Sequence, residues 1–197
     1  IYSSKIGFGL GIDISDINND GWLDIYVGND FHEQDYLYVN QGDKTFKESI
    51  EKSTGHISNF SMGCSLVDLN NDLRTDVLTM DMKSPNYENY KKSGGWESMQ
   101  IYNYKRSFGY HHQSPKNCMQ YNLGNQNGVP QFSDQSGFYK TSSTDWSWSP
   151  LVYDFDNDGD QDVFITNGIK NRPNDLDFIK FHFSDSKSDD LSKLDLM

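Results

Sequence analysis

"DINNDGWLDIYV", residues 16–27, sets an acid or an amide at every second position and then turns apolar. Crowding Asp16, Asn18, Asp20 and Asp24 into nine residues invites repulsion, so the pattern needs a reason. It also recurs. "DLNNDLRTDVLT" begins at Asp68 and "DFDNDGDQDVFI" begins at Asp154. Ten acids occupy positions one, three, five and nine of these three windows, out of 29 in the chain. A lone acidic turn would read as a solvated loop. Three copies in one register read as a ligand set.

The spacing fits a hard divalent cation. Ca²⁺ takes six to eight oxygens at about 2.3–2.6 Å and tolerates irregular geometry. A tight loop can curl the side chains of positions one, three and five around one point. Position seven then offers a backbone carbonyl and position nine a carboxylate. In loop one these are Asp16, Asn18, Asp20, the Trp22 carbonyl and Asp24. In loop two they are Asp68, Asn70, Asp72, the Arg74 carbonyl and Asp76. In loop three they are Asp154, Asp156, Asp158, the Asp160 carbonyl and Asp162. Gly21 and Gly159 hold position six, where a Cβ is penalised in a left-handed turn. Loop two places Leu73 there, so its site is expected to be the weakest. An EF-hand would need a Glu at position twelve and flanking helices. Position twelve is Val27, Thr79 or Ile165, each inside a β-type run.

Around each loop the chain repeats a larger unit. A short strand precedes it ("GFGLGIDIS", "FSMGCSLV", "WSWSPLVY") and an apolar strand follows ("LDIYVGN", "TDVLTMD", "QDVFITN"). Two units continue into a second hairpin, "DYLYVNQGDKTFKE" and "NCMQYNLGNQNGVPQFSD", each with a Gly-containing turn. Four antiparallel strands in roughly fifty residues make one propeller blade. The expected fold is therefore all-β: a segment of a β-propeller with four-stranded antiparallel blades and a partly helical insertion. Repeat one spans 1–59, repeat two 60–145, and a partial repeat three with an acidic tail 146–197. Loops one and two start 52 residues apart, loops two and three 86 apart. The surplus of 34 falls on residues 82–115, read as an insertion with a short helix near 96–106. "PNDLDFIKFHF" predicts a second helix start near Pro173 and Asn174. The Ser-rich acidic end reads as mobile, or as a unit completed by further sequence.

The chain has 197 residues and a formal net charge of −12. That charge argues against nucleic acid, whose affinity rests on Lys and Arg meeting phosphates. Three divalent cations would halve it. No apolar run of 18 residues is present, so no membrane-spanning segment is expected. The N-terminus lacks an initiator Met and a signal-peptide pattern, which reads as a start inside a longer protein. Cys64 and Cys118 read as buried free thiols rather than a disulfide framework. His111 and His112 read as part of a mobile polar loop rather than as ligands. The aromatics of "YENY", "GGW" and "YNYKRSFGYHH" read either as packing for the insertion or as a partner surface, with residues 96–112 the best candidate.

Three stretches carry a resemblance: "FGLGIDISDINNDGWLDIYVGND" with "YLYVNQGDKTF", then "SMGCSLVDLNNDLRTDVLTMD", then "DWSWSPLVYDFDNDGDQDVFITNGI". They resemble the FG-GAP/VCBS repeat proteins, found in integrin α-subunit propellers and many bacterial secreted proteins. The third, with "RPNDLDFIKF", looks most like the cartilage-acidic-protein-like (ASPIC/UnbV-associated) branch. The resemblance implies a calcium-stabilised propeller that is exported (extracellular, cell-surface or periplasmic) and binds a glycan or protein partner. Two other readings stay open: a propeller hydrolase or lyase acting on polysaccharide, and a scaffold for a neighbouring catalytic domain.

Overall fold

The computed structural model describes residues 7–93 and 97–185. The chain is mostly β. Strands β1 (Phe8–Ser15), β2 (Asp24–Asp30), β3 (Tyr36–Asn40) and β4 (Phe46–Glu48) form one antiparallel sheet in that order. A single helical turn, α1 (Ile50–Ser53), and a two-residue strand, β5 (Ile57–Ser58), lead out of it. Strands β6 (Cys64–Val67) and β7 (Asp76–Thr79) open a second sheet. Helices α2 (Tyr87–Lys92) and α3 (Met99–Ser107) come next, then β8 (Gln113–Ser114), which pairs parallel to β5. Strands β9 (Cys118–Gln126) and β10 (Val129–Asp134) complete the second sheet, ordered β10-β9-β7-β6. Strands β11 (Ser147–Tyr153) and β12 (Asp162–Asn167) form an antiparallel pair, and α4 (Leu176–Asp185) follows.

Both four-stranded sheets are meanders with sequential neighbours. Five residues, 31–35, join β2 to β3, whereas 38 residues, 80–117, join β7 to β9. That longer connection carries α2, α3 and β8 between the second and third strands of its sheet. Local chemistry explains its helices. Ser98 caps α3 by accepting from the Ile101 amide at 3.2 Å, and Asn86 caps α2 by accepting from the Asn89 amide at 3.1 Å. The Gly-Gly-Trp stretch at 94–96 and the Ser-rich end, 186–197, lie outside the described residues.

Hydrophobic burial is concentrated between successive sheets. One cluster joins Ile17, Tyr26, Leu37 and Val39 to Ile57, Val77 and Phe132. A second joins Leu69, Leu78, Met80 and Met119 to Val152, Val163 and Ile165. Ile17 and Leu69 are the second residues of loops one and two, so each acidic loop also plugs the interface ahead of it. Close approach of first strands accompanies this. A Cβ built on Gly11 would lie 2.9 Å from the Cys64 amide nitrogen, and one on Gly63 would lie 2.5 Å from the Trp148 carbonyl oxygen. Both glycines stand five residues before their loop's first aspartate, and at that place in the third unit the chain has Ser149.

Both cysteines are free, Cys118 buried and Cys64 half-buried. His111, expected in a mobile loop, is instead buried: its amide donates to Gln34 Oε1 at 2.7 Å and its Nε2 meets Thr54 Oγ1 at 3.1 Å. Among the described residues no helix is long and apolar enough to cross a membrane.

Candidate metal centres

Each acidic loop is the turn of a hairpin: β1–β2, β6–β7 and β11–β12. The flanking register is the same in all three, Ser15 opposite Asp24, Val67 opposite Asp76 and Tyr153 opposite Asp162. The loop interiors repeat bond for bond. The position-one carboxylate accepts the amides of positions five and six: Asp16 from Asp20 and Gly21, Asp68 from Asp72 and Leu73, Asp154 from Asp158 and Gly159. Position three accepts from the amide of position five, and position five from that of position seven. Position nine reaches back to the amide of position two, as Asp24 to Ile17 at 3.0 Å, Asp76 to Leu69 at 2.9 Å and Asp162 to Phe155 at 3.0 Å. Local side chain–backbone bonds of this kind are what Asp and Asn make in turns.

These bonds gather the candidate ligands. In loop three, carboxylate oxygens of Asp154, Asp156 and Asp158 lie within 4.8 Å of one another. In loops one and two the third and fifth side chains touch: Asn18 Nδ2 donates to Asp20 at 2.9 Å and Asn70 Nδ2 to Asp72 at 3.0 Å. Asp24 and Asp76 are fully buried beneath their loops. Burial pushes the Asp76 carboxyl up to about 6, and the charges of Asp72 and Asp68 push it further the same way. Burial raises Asp24 too, with Asp20 adding to it. The donors are carboxylate and amide oxygens throughout, the set that suits a hard cation.

The loops differ as well. Asp24 and Asp76 each bind the amide of a third strand, Asn40 at 2.8 Å and Asn122 at 2.7 Å. Loop three has no such strand beside it among the described residues, and Asp162 is exposed. In loop two the Arg74 guanidinium lies on Asp72 at 2.6 Å, so a resident cation already shares that carboxylate. Arg74 thus brings its side chain to the loop as well as its candidate carbonyl. Leu73 is left-handed at φ 65° and 85% exposed. Leu73→Gly relieves that strain without losing burial and should stabilise the protein by about 0.5–1 kcal/mol, read by urea unfolding in EGTA. Unchanged or reduced stability would show that the Leu73 backbone is unstrained.

Another mixed cluster sits apart from the loops. Asp134 meets His56 at 3.1 Å and Lys116 at 2.5 Å, with Cys118 beside them. Asp134 also accepts from the Met119 and Ser136 amides. Its carboxylate is satisfied, and the Lys116 ammonium supplies the positive charge. An open polar cleft of about 250 Å³ adjoins loop one, walled by Asn18, Asp20, Gln41, Lys47, Asn125 and Asn127.

Residues 16–79 match the FG-GAP-like repeat family, running from the first candidate ligand of loop one to the end of β7. The match takes in the first two acidic loops and about a third of the chain. A comparison with curated proteins finds no match.

Proposed function

We propose that this chain is a Ca²⁺-stabilised segment of a β-propeller serving as an exported binding module for a glycan or a protein. The sheets are successive blades, one in residues 1–59, one in 60–145 carrying 82–115 as an insertion, and a partial one in 146–197. The observation that carries the reading is the bond-for-bond repetition of three all-oxygen loops at one end of three successive hairpins. The FG-GAP-like match and the stacked four-stranded sheets support it. So do the outermost faces, where Leu10, Ile12 and Ile14 on β1 and Leu151 and Phe164 on the third sheet are exposed.

Ca²⁺ would be held by positions one, three, five, seven and nine of each loop: Asp16, Asn18, Asp20, Trp22 and Asp24; Asp68, Asn70, Asp72, Arg74 and Asp76; Asp154, Asp156, Asp158, Asp160 and Asp162. Bound there, it supplies positive charge that offsets the crowded carboxylates. Loop two, with Leu73 and the Arg74–Asp72 pair, is the weakest site. Extracellular modules hold Ca²⁺ at about 10⁻⁴–10⁻³ M, a range that fits an exported setting. The partner surface centres on α3, where Met99, Tyr104 and Phe108 are exposed and the last two rings lie 4.8 Å apart. Aromatic faces of this kind act as anchors in recognition. The amide-walled cleft beside loop one adds donors and acceptors suited to sugar hydroxyls.

On a glycan array in about 1 mM Ca²⁺, within reach of extracellular-type sites, the protein should retain a defined set of sugars. EGTA, or Ala at Tyr104 and Phe108 together, should abolish retention. Retention of sugars unchanged in EGTA would overturn the role of calcium. An empty array would leave a protein partner as the reading.

A further inference from the structure

The three acidic loops are tied together by a side chain outside the ligand set. Position four is asparagine in every loop, and Asn19, Asn71 and Asn157 are all left-handed, at φ 55°, 59° and 61°. Asparagine tolerates that region better than most residues. Its amide is therefore free to reach outward. Asn19 Nδ2 donates to the Leu73 carbonyl at 3.3 Å, and Asn71 Nδ2 donates to the Gly159 carbonyl at 2.9 Å. Both acceptors are position six of the following loop.

That carbonyl belongs to a peptide whose other end is also fixed. The position-seven amide donates to the position-five carboxylate: Arg74 to Asp72 at 3.0 Å, Asp160 to Asp158 at 2.9 Å. One peptide plane is thus held at its oxygen by the preceding loop and at its nitrogen by a candidate ligand of its own loop. The next carbonyl along, at position seven, is itself a candidate ligand.

We propose that Asn19 and Asn71 are positioning residues that couple Ca²⁺ occupancy of successive loops, so that a filled loop preorganises the one after it. The proposal rests on the metal reading above. When loop one is filled, Asn18 and Asp20 are fixed on either side of Asn19, and its amide is held against Leu73. Loop two then meets its cation with the 73–74 peptide already placed. The coupling is reciprocal. It is felt most by loop two, where left-handed Leu73 resists the required backbone. Because loop one is the stronger site and fills first, the linkage appears as a tighter loop two.

The test is a Ca²⁺ titration of the 197-residue chain followed by the backbone amide resonances of Trp22, Arg74 and Asp160, each reporting its own loop. Asn19→Gly keeps the left-handed backbone accessible and deletes the donor. It should raise the Arg74 midpoint about threefold to tenfold, the worth of one exposed hydrogen bond, and leave Trp22 near its parent value. Asn71→Gly should likewise raise the Arg74 midpoint, because loop three, the other stronger site, is already filled when loop two binds, and should leave Asp160 near its parent value. Asn157→Gly, the same change at the end of the series, should leave the Arg74 midpoint at the parent value. An Arg74 midpoint unmoved by Asn19→Gly overturns the coupling, as does an equal shift at Trp22 and Arg74, which would be general loosening. If none of the three amides responds to Ca²⁺ in the parent protein, the metal reading falls and the coupling falls with it.

Discussion

Replacing Ca²⁺ by EGTA is expected to lower the midpoint of thermal unfolding by about 10–20 °C. A ligand that binds only the folded chain stabilises it by about 2.7 kcal/mol when present at a hundred times its dissociation constant. Two well-formed loops filled to that degree, one and three, give roughly 5 kcal/mol at Ca²⁺ on the order of 10 mM. For a chain of this size each kcal/mol moves the midpoint by about 2–4 °C. The loops should survive the loss. Their carboxylates already accept backbone amides, so the metal-free turn has its own hydrogen bonds and lacks only charge compensation. Melting followed by circular dichroism, with Mg²⁺ as the control, decides the matter. Mg²⁺ demands near-ideal octahedral geometry and dehydrates reluctantly, so it should restore little. Coincident curves in Ca²⁺ and EGTA would reduce the loops to solvated turns.

The hairpins and the acidic loops were legible in the sequence because both are local. Alternation of apolar and polar residues, a Gly-containing turn and the odd-position acids all act within a dozen residues. The long connection between β7 and β9 left a trace in the sequence as well, an extra 34 residues in the spacing between loops two and three. What escaped reading depends on contacts between units. Asn19 and Asn71 sit at an even position in each loop and look like spacers until the next loop is placed beside them. Ile17 and Leu69 are lone apolar residues in acidic stretches, and only the stacking of sheets gives them a core to enter. A signal did exist for both: asparagine at position four in all three loops, and an apolar residue at position two. The Arg74 guanidinium gives no sequence signal, because it finds Asp72 only once the turn has closed. His111 falls in a stretch that reads as a mobile polar loop, yet it is buried. Its burial follows from the parallel pairing of β8 with β5, which brings segments more than fifty residues apart together. The two most buried carboxylates away from the loops, Asp35 and Asp81, carried no local signal at all.

Those two acids give the second large effect. Asp35 accepts from the Asn29 amide at 2.9 Å and from the hydroxyls of Tyr26 and Ser61, each at 2.8 Å. It lies between the first two sheets, with no ion-pair partner among the described residues. Burial pushes its carboxyl up to about 7, against an ordinary 3.8, despite three donors that pull the other way. Asp81, held by Ser58 and three backbone amides, is pushed up to about 6 for the same reason. A carboxyl raised by folding binds its proton more tightly in the folded chain. Its stability contribution is complete below about pH 4, the unfolded value, and is lost as pH rises through 6 and 7. Asp134 works oppositely: burial would raise it, but hydrogen bonds from His56 and Lys116 hold it below the usual range, so its contribution is lost only in acid. The protein should therefore lose on the order of 3 kcal/mol between about pH 5 and pH 8 through Asp35 alone. Asp35→Asn should flatten that slope. The Asn oxygen can take the Asn29 amide, while its NH₂ group faces two hydroxyls that are able to accept. The variant should match or exceed the parent in stability near pH 8 and fall to or below it near pH 5. Urea unfolding at several pH values in EGTA measures both. The difference between variant and parent isolates Asp35 from Asp24 and Asp76, which are also raised but are common to both chains. Parallel stability curves across this range would mean that Asp35 is ionised in the folded protein and that its three donors outweigh its burial.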